Sequence, residues 1–155
     1  MKRSLLVLAL LLAFPGSALA KGPSTATIHG PGLKHPILLT GKESDEGSPL
    51  FRLVADAGFF PATFGQSPDP MLHGRPAGAL GPVYTIVWVL PGPNRVVSRV
   101  VQLVYPYAKR GAVSWMRSRQ LFWRTNRTKG GWYPGGADLR RTLVSLGLPA
   151  TAPTA

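Results

Sequence analysis

The strongest strand signal along the chain lies between Val83 and Leu90. Val83, Thr85, Val87 and Val89 point one way, and Tyr84, Ile86, Trp88 and Leu90 the other. A short apolar run rich in β-branched and aromatic residues predicts a strand, and two mainly apolar faces predict a central one. Pro91-Gly92-Pro93-Asn94 turns the chain, and Val96 to Tyr105 returns as a second strand whose faces are interrupted by Arg99 and Gln102. Beyond a turn over Pro106 to Gly111, the stretches Val113 to Met116 and Gln120 to Trp123 read as a third and a fourth strand. Connections this short join antiparallel neighbours, which makes a meander. Two shorter strands, Ala26 to His29 and Pro36 to Thr40, flank the turn at Gly30-Pro31-Gly32.

Helical spacing occurs twice. Ser48-Pro49 offers an N-cap and a proline for the first turn, and Asp45 and Glu46 stand just ahead, where negative charge suits the helix dipole. Leu50, Phe51, Leu53, Val54 and Ala57 give that helix an apolar face. Gly58 stops it in the left-handed conformation, with Phe59 folding back onto Val54. The second helix covers about Ala137 to Leu146, with Leu139, Leu143 and Leu146 on one side; Gly147 ends it, Leu148 packs back on Leu143, and Pro149 blocks continuation. Pro61 to Pro82 reads as a long loop rich in Pro and Gly, and Asn126 to Gly136 as a loop of glycine and aromatic residues. The expected fold is α+β: an antiparallel β-meander of three to five strands packed against two α-helices.

The first twenty residues follow another pattern. Lys2 and Arg3 precede an unbroken apolar run from Leu5 to Phe14, then Pro15-Gly16 and Ala18-Leu19-Ala20. That is the order of a secretory signal peptide. A run of this length rises only about 15 Å as a helix, half of a bilayer's hydrocarbon core of roughly 30 Å. The expectation is a cleaved signal over 1–20 and no transmembrane helix afterwards. One small domain over 21–155 then works outside the cytoplasm, in periplasm, cell wall or medium, with 21–27 and 151–155 loose. With no Cys in the chain, disulfides, thiol catalysis, Cys-bound zinc and lipid attachment after the signal are all excluded. Twelve Arg against six Lys, among many Ala, Gly and Pro, fits a GC-rich bacterial genome.

Charge sharpens the picture. The chain carries +12, and the part after residue 20 carries +10. Lys21 to Pro70 is nearly balanced, with four basic and five acidic residues, whereas Met71 to Ala155 holds twelve basic residues and a single acid, Asp138. Such a field draws anionic partners: lipid headgroups or acidic envelope polymers. An export signal argues against nucleic acid. The densest segment is Arg117 to Tyr133, where Arg117, Arg119, Arg124, Arg127 and Lys129 alternate with Trp123 and Trp132. Guanidinium forks pair phosphates and carboxylates, and flat rings stack or lie at a membrane interface. These seven residues form the expected partner-binding set. The competing reading makes Leu121, Phe122, Trp123 and Trp132 core residues and the arginines a solvated face.

Catalytic signatures are missing. There is no G-x-S-x-G, H-E-x-x-H, Walker loop or G-x-G-x-x-G after a strand, and no cofactor is implied. Glu43, Asp45 and Glu46 share one polar loop, which does not supply two carboxylates fixed across a cleft. His29, His35 and His73, with Asp69, offer the alternative of a small secreted hydrolase with a loop-borne histidine site. Exposed single loop histidines account for them equally well. The expected function is therefore a non-enzymatic, envelope-associated binding module with a basic surface.

Overall fold

The computed structural model describes residues 22–42 and 45–154; the leader read over 1–20, together with Lys21 and Glu43, lies outside the described residues. In chain order the elements are β1 (Thr25–His29), β2 (Ile37–Thr40), α1 (Pro49–Asp56), α2 (Phe59–Phe64), β3 (Tyr84–Pro91), β4 (Val97–Tyr105), β5 (Val113–Met116), β6 (Leu121–Phe122), β7 (Asn126–Arg127), β8 (Gly131–Pro134) and α3 (Leu139–Ser145). Six strands form one antiparallel sheet in the order β2-β1-β3-β4-β5-β8, and β6 and β7 form a separate two-stranded ribbon. The α+β class holds, with six strands in the main sheet and three helices.

Register decides which residues become core. Ala26 pairs with Trp88, Ile28 with Ile86, Tyr84 with Val104, Gln102 with Met116 and Ser114 with Tyr133, so all of these share one face, and all are buried. The three helices cover that face: Leu50, Leu53, Val54, Phe59, Leu139 and Leu143 join the same apolar cluster. Each such side chain, fully buried, contributes about 1.5–3 kcal/mol through the area removed from water. The opposite face carries Val87, Val101, Leu103, Trp115 and Trp132, and among the described residues no helix lies over it. Val101 there is 39% exposed.

One polar cluster is enclosed in the core. Trp88 Nε1–H donates to Gln102 Oε1 at 3.0 Å, Gln102 Nε2 donates to Ala57 O at 2.7 Å and to Ser114 Oγ at 3.1 Å, and Ser114 Oγ–H donates to Ala57 O at 2.8 Å. Gln102 and Ser114 are fully buried, so this network joins the end of α1 to the middle of the sheet with its polar atoms satisfied.

The expected caps are present. Ser48 Oγ accepts the Phe51 N–H at 3.1 Å with Pro49 opening α1, and Gly58 follows the helix at φ 64°. Gly147 N–H reaches Val144 O and Leu148 N–H reaches Leu143 O, the paired bonds that close α3. At Gly58 a side chain would be strained by the positive φ and would meet Tyr133 Cβ at 3.4 Å. Gly58→Val is expected to cost of order 1 kcal/mol or more and to lower the melting temperature by about 4 °C. An unchanged melting curve would refute this stop.

Several expectations need correction. Phe59 opens α2 directly after Gly58, and its ring centroid lies 4.9 Å from that of Trp88. The loop expected from Pro61 therefore starts one helix later, after Phe64, because Pro61 falls in the first turn, where no backbone N–H is required. The fourth strand shrinks to Leu121–Phe122 and leaves the main sheet for the ribbon. The glycine and aromatic loop contains β7 and β8, and β8 pairs fully with β5 despite its terminal proline, which sits on the sheet margin. At the start of the domain, Thr25 to Thr27 belong to β1, and Gly22 and Pro23 are buried.

Candidate functional site

β5 stops at Met116, so the first half of β4 has no strand beside it on that side. The ribbon β6–β7 fills the place. Gln120 does so with its side chain: Oε1 accepts the Val101 N–H and Nε2 donates to Val101 O, both at 2.8 Å, reproducing a strand's pair of ladder bonds. Three residues on, Trp123 N–H donates to Ser98 Oγ at 2.8 Å. The ribbon's base is tied by Thr128, which is buried; its Oγ1 donates to Arg117 O at 2.8 Å and accepts the Gln120 N–H at 3.0 Å.

Trp123 fastens the ribbon to the rest. Its ring packs against Phe64 at 5.7 Å and Phe122 at 5.1 Å between centroids. It also lies on the backbone of Gly92, where a Cβ would come within 2.8 Å of Nε1. The indole N–H is buried without an acceptor among the described residues. Trp123 is thus a packing residue that holds the β3–β4 turn and the ribbon together, not an open stacking platform.

That packing gathers cations. Arg117, Arg119, Arg124 and Arg127 project from the ribbon and its approach, all exposed. Arg95 in the β3–β4 turn and Arg99 on β4, within the span the ribbon flanks, add two more that sequence reading did not select. Arg127 Nη1 donates to Arg119 O at 3.4 Å. Among the described residues the salt bridges are Lys129–Asp69 and Arg141–Asp138, so none of these six arginines has a carboxylate partner. Among the described residues, the non-glycine residues that hold positive φ all lie here: Asn94 (53°), Arg95 (61°), Arg119 (65°), Trp123 (46°) and Arg124 (67°). Each costs about 1–2 kcal/mol, so this end of the molecule holds its arginines in place against backbone strain.

The other two residues of the expected set stand apart. Lys129 is paired with Asp69, and that bond holds the Asp69 carboxyl below the usual carboxylate range. Trp132 is half-buried on the helix-free face of the sheet, its ring 5.6 Å from Tyr105 and 6.3 Å from Trp115. Next to it, Tyr133 is buried and donates to Gly130 O at 3.1 Å; burial, helped by the negative Asp69, pushes its hydroxyl up to about 12. The basic residues of the C-terminal half are also divided. Lys109 and Arg110 follow the far end of β4, whose length puts them about 27 Å from Val97.

The histidines do not converge. His29 ends β1 and His35 lies in the β1–β2 turn. His73 follows Leu72, which bridges to Trp132 beyond the opposite sheet margin, about 24 Å away by strand spacing. Among the described residues no group of three His, Cys, Asp or Glu is placed to hold a metal. Asp56 accepts the Thr142 hydroxyl at 2.7 Å, and Asp69 and Asp138 are ion-paired. No helix of the described residues is long and apolar enough to cross a membrane. Comparison with protein-family models, curated proteins and solved structures finds no match to this chain.

Proposed function

We propose that this is a non-enzymatic binding module of the cell envelope, held on anionic headgroups or polymers by the arginines of the ribbon and the β3–β4 turn. The observation that carries the reading is the set of six exposed arginines without carboxylate partners among the described residues, three of them at strained positive φ. Like charges crowded on one surface repel, and an anionic surface relieves that repulsion while accepting guanidinium hydrogen bonds. The leader over 1–20 supports the compartment, since export brings the domain to such surfaces.

Vesicle sedimentation tests this. The protein should be retained on vesicles of equal phosphatidylglycerol and phosphatidylcholine, and released as sodium chloride rises from low to several hundred millimolar, because screening shortens the range of exposed charges. The R117Q/R119Q/R124Q/R127Q variant should bind at least about tenfold more weakly, the order expected when four basic residues, each worth about 1 kcal/mol near an anionic membrane, are removed. Equal retention on pure phosphatidylcholine, or no loss in the variant, would defeat the reading.

A further inference from the structure

We propose that the cavity at the opposite end of β4 is a second binding site, one that takes a small organic anion: an acidic group carried on an apolar body. It is a half-open cleft bordered by the β4–β5 turn, the loop after α2 and the segment leading into α3, and its volume is about 630 Å³. Sites for small molecules commonly span about 300–1,000 Å³. The floor is apolar, made by Leu80, Pro106 and Val113, and most of the wall is Ala, Gly and Pro, whose short side chains leave the space open. Three polar side chains line it, Lys109, Arg110 and Arg140, and all are cationic. Among the described residues no acid lines it, so the charge there is uncompensated by that lining.

The walls are held in place. Lys109 N–H donates to Ala79 O at 3.0 Å and Leu72 N–H to Trp132 O at 2.8 Å, which ties the long loop across the opening. Loops of this length without secondary structure are usually functional when ordered. Arg140 is oriented by Tyr107, whose ring centroid is 5.2 Å from its guanidinium carbon, and by a hydrogen bond from Nη2 to Ala150 O at 2.8 Å. Its remaining donors and the flexible Lys109 and Arg110 suit a carboxylate, sulfonate or phosphate, and the floor suits a hydrocarbon or ring. Inorganic phosphate would leave that floor uncovered. This site is separate from the ribbon and does not depend on its function.

Two dyes of similar shape test the proposal: anilinonaphthalene sulfonate, an anion, and N-phenyl-1-naphthylamine, which is neutral. The sulfonate should bind the wild-type protein, with a rise in fluorescence. K109Q/R110Q should weaken it at least tenfold while changing binding of the neutral dye less than twofold. A77W, which fills the cavity from the exposed loop and keeps every charge, should weaken both. R117Q/R119Q/R124Q/R127Q should bind the sulfonate as wild type does. Sulfonate binding retained in either K109Q/R110Q or A77W, or lost in the ribbon variant, would overturn the assignment. Thermal melts of each variant confirm that it is folded when read.

Discussion

Gln102→Ala is expected to cost about 3–4 kcal/mol, a large share of the 5–15 kcal/mol that holds a domain of this size. The truncation leaves a cavity and strips Trp88 Nε1–H of its acceptor in a site that water does not reach. Gln102→Leu keeps the volume and loses only the hydrogen bonds, so it should cost less, about 1–3 kcal/mol. Gln102→Glu separates geometry from charge. Protonated, the new carboxyl can accept from Trp88 and donate to Ala57 O, as the amide does. Ionised, it would be a buried anion facing a carbonyl. Burial raises its folded pKa above the unfolded value of about 4.3. The folded state then binds the extra proton, and stability falls by up to about 1.4 kcal/mol per pH unit above that value until the folded pKa is passed. Urea unfolding should therefore show the variant losing stability from pH 4 to pH 7 relative to the wild type. Equal stability of the variant at both would contradict the enclosed network.

The second large effect belongs to Gly130, at the base of the ribbon. It holds φ 72°, and a Cβ there would overlap the backbone N and Cα of Ser118 and fall 2.8 Å from Arg117 C. Neither side can move aside. Arg119 N–H is bonded to Thr128 O at 2.8 Å, and Gly130 N–H to Ala62 O at 2.9 Å. Gly130→Ala is expected to cost about 3 kcal/mol or more, since backbone overlap adds to the penalty of the left-handed conformation. The damage should be local first. Hydrogen exchange should speed up at Gln120 and Thr128, while amides of the β3–β4 ladder remain protected. With the ribbon loosened, retention on anionic vesicles should fall too. A variant with wild-type melting and exchange would show that the ribbon is not anchored there.

Local chemistry made some of this readable in advance. Ser48-Pro49 and Gly58 bracket α1, Gly147-Leu148 closes α3, and the β-branched and aromatic run from Tyr84 to Leu90 marks the strand that lies inside the sheet. What escaped depends on partners distant in the chain. Gly131-Trp132-Tyr133-Pro134 has the composition of a turn and becomes a strand because β5 supplies its ladder. Phe59 to Phe64 has no polar face and contains a proline, yet forms a helix because its rings fill the core. Gln102 looked like a break in an apolar face; only register shows that it meets Trp88, Ser114 and the end of α1. The twelve basic residues of Met71 to Ala155 read as one field along the chain. An antiparallel turn carries Lys109 and Arg110 to the far end of β4, and folding returns the ribbon to the turn that bears Arg95, where Trp123 meets Gly92 and Ser98. Proximity in sequence located the ribbon arginines but could not separate the two groups.

The strand β1 lies between β2 and β3, and its two neighbours reach it on very different terms. Ile28 meets Ile37 across a short hairpin, whereas Thr25 must find Val89 and His29 must find Thr85, 64 and 56 residues later. A growing or threading chain therefore presents Ala26 and Ile28 to solvent until the segment through Pro91 has emerged. Closure of so distant a pairing slows assembly, and an unpaired strand margin is open to capture by other chains in the meantime. The domain's vulnerable interval is set by the wait of its first strand for its third, and a holding chaperone would act there.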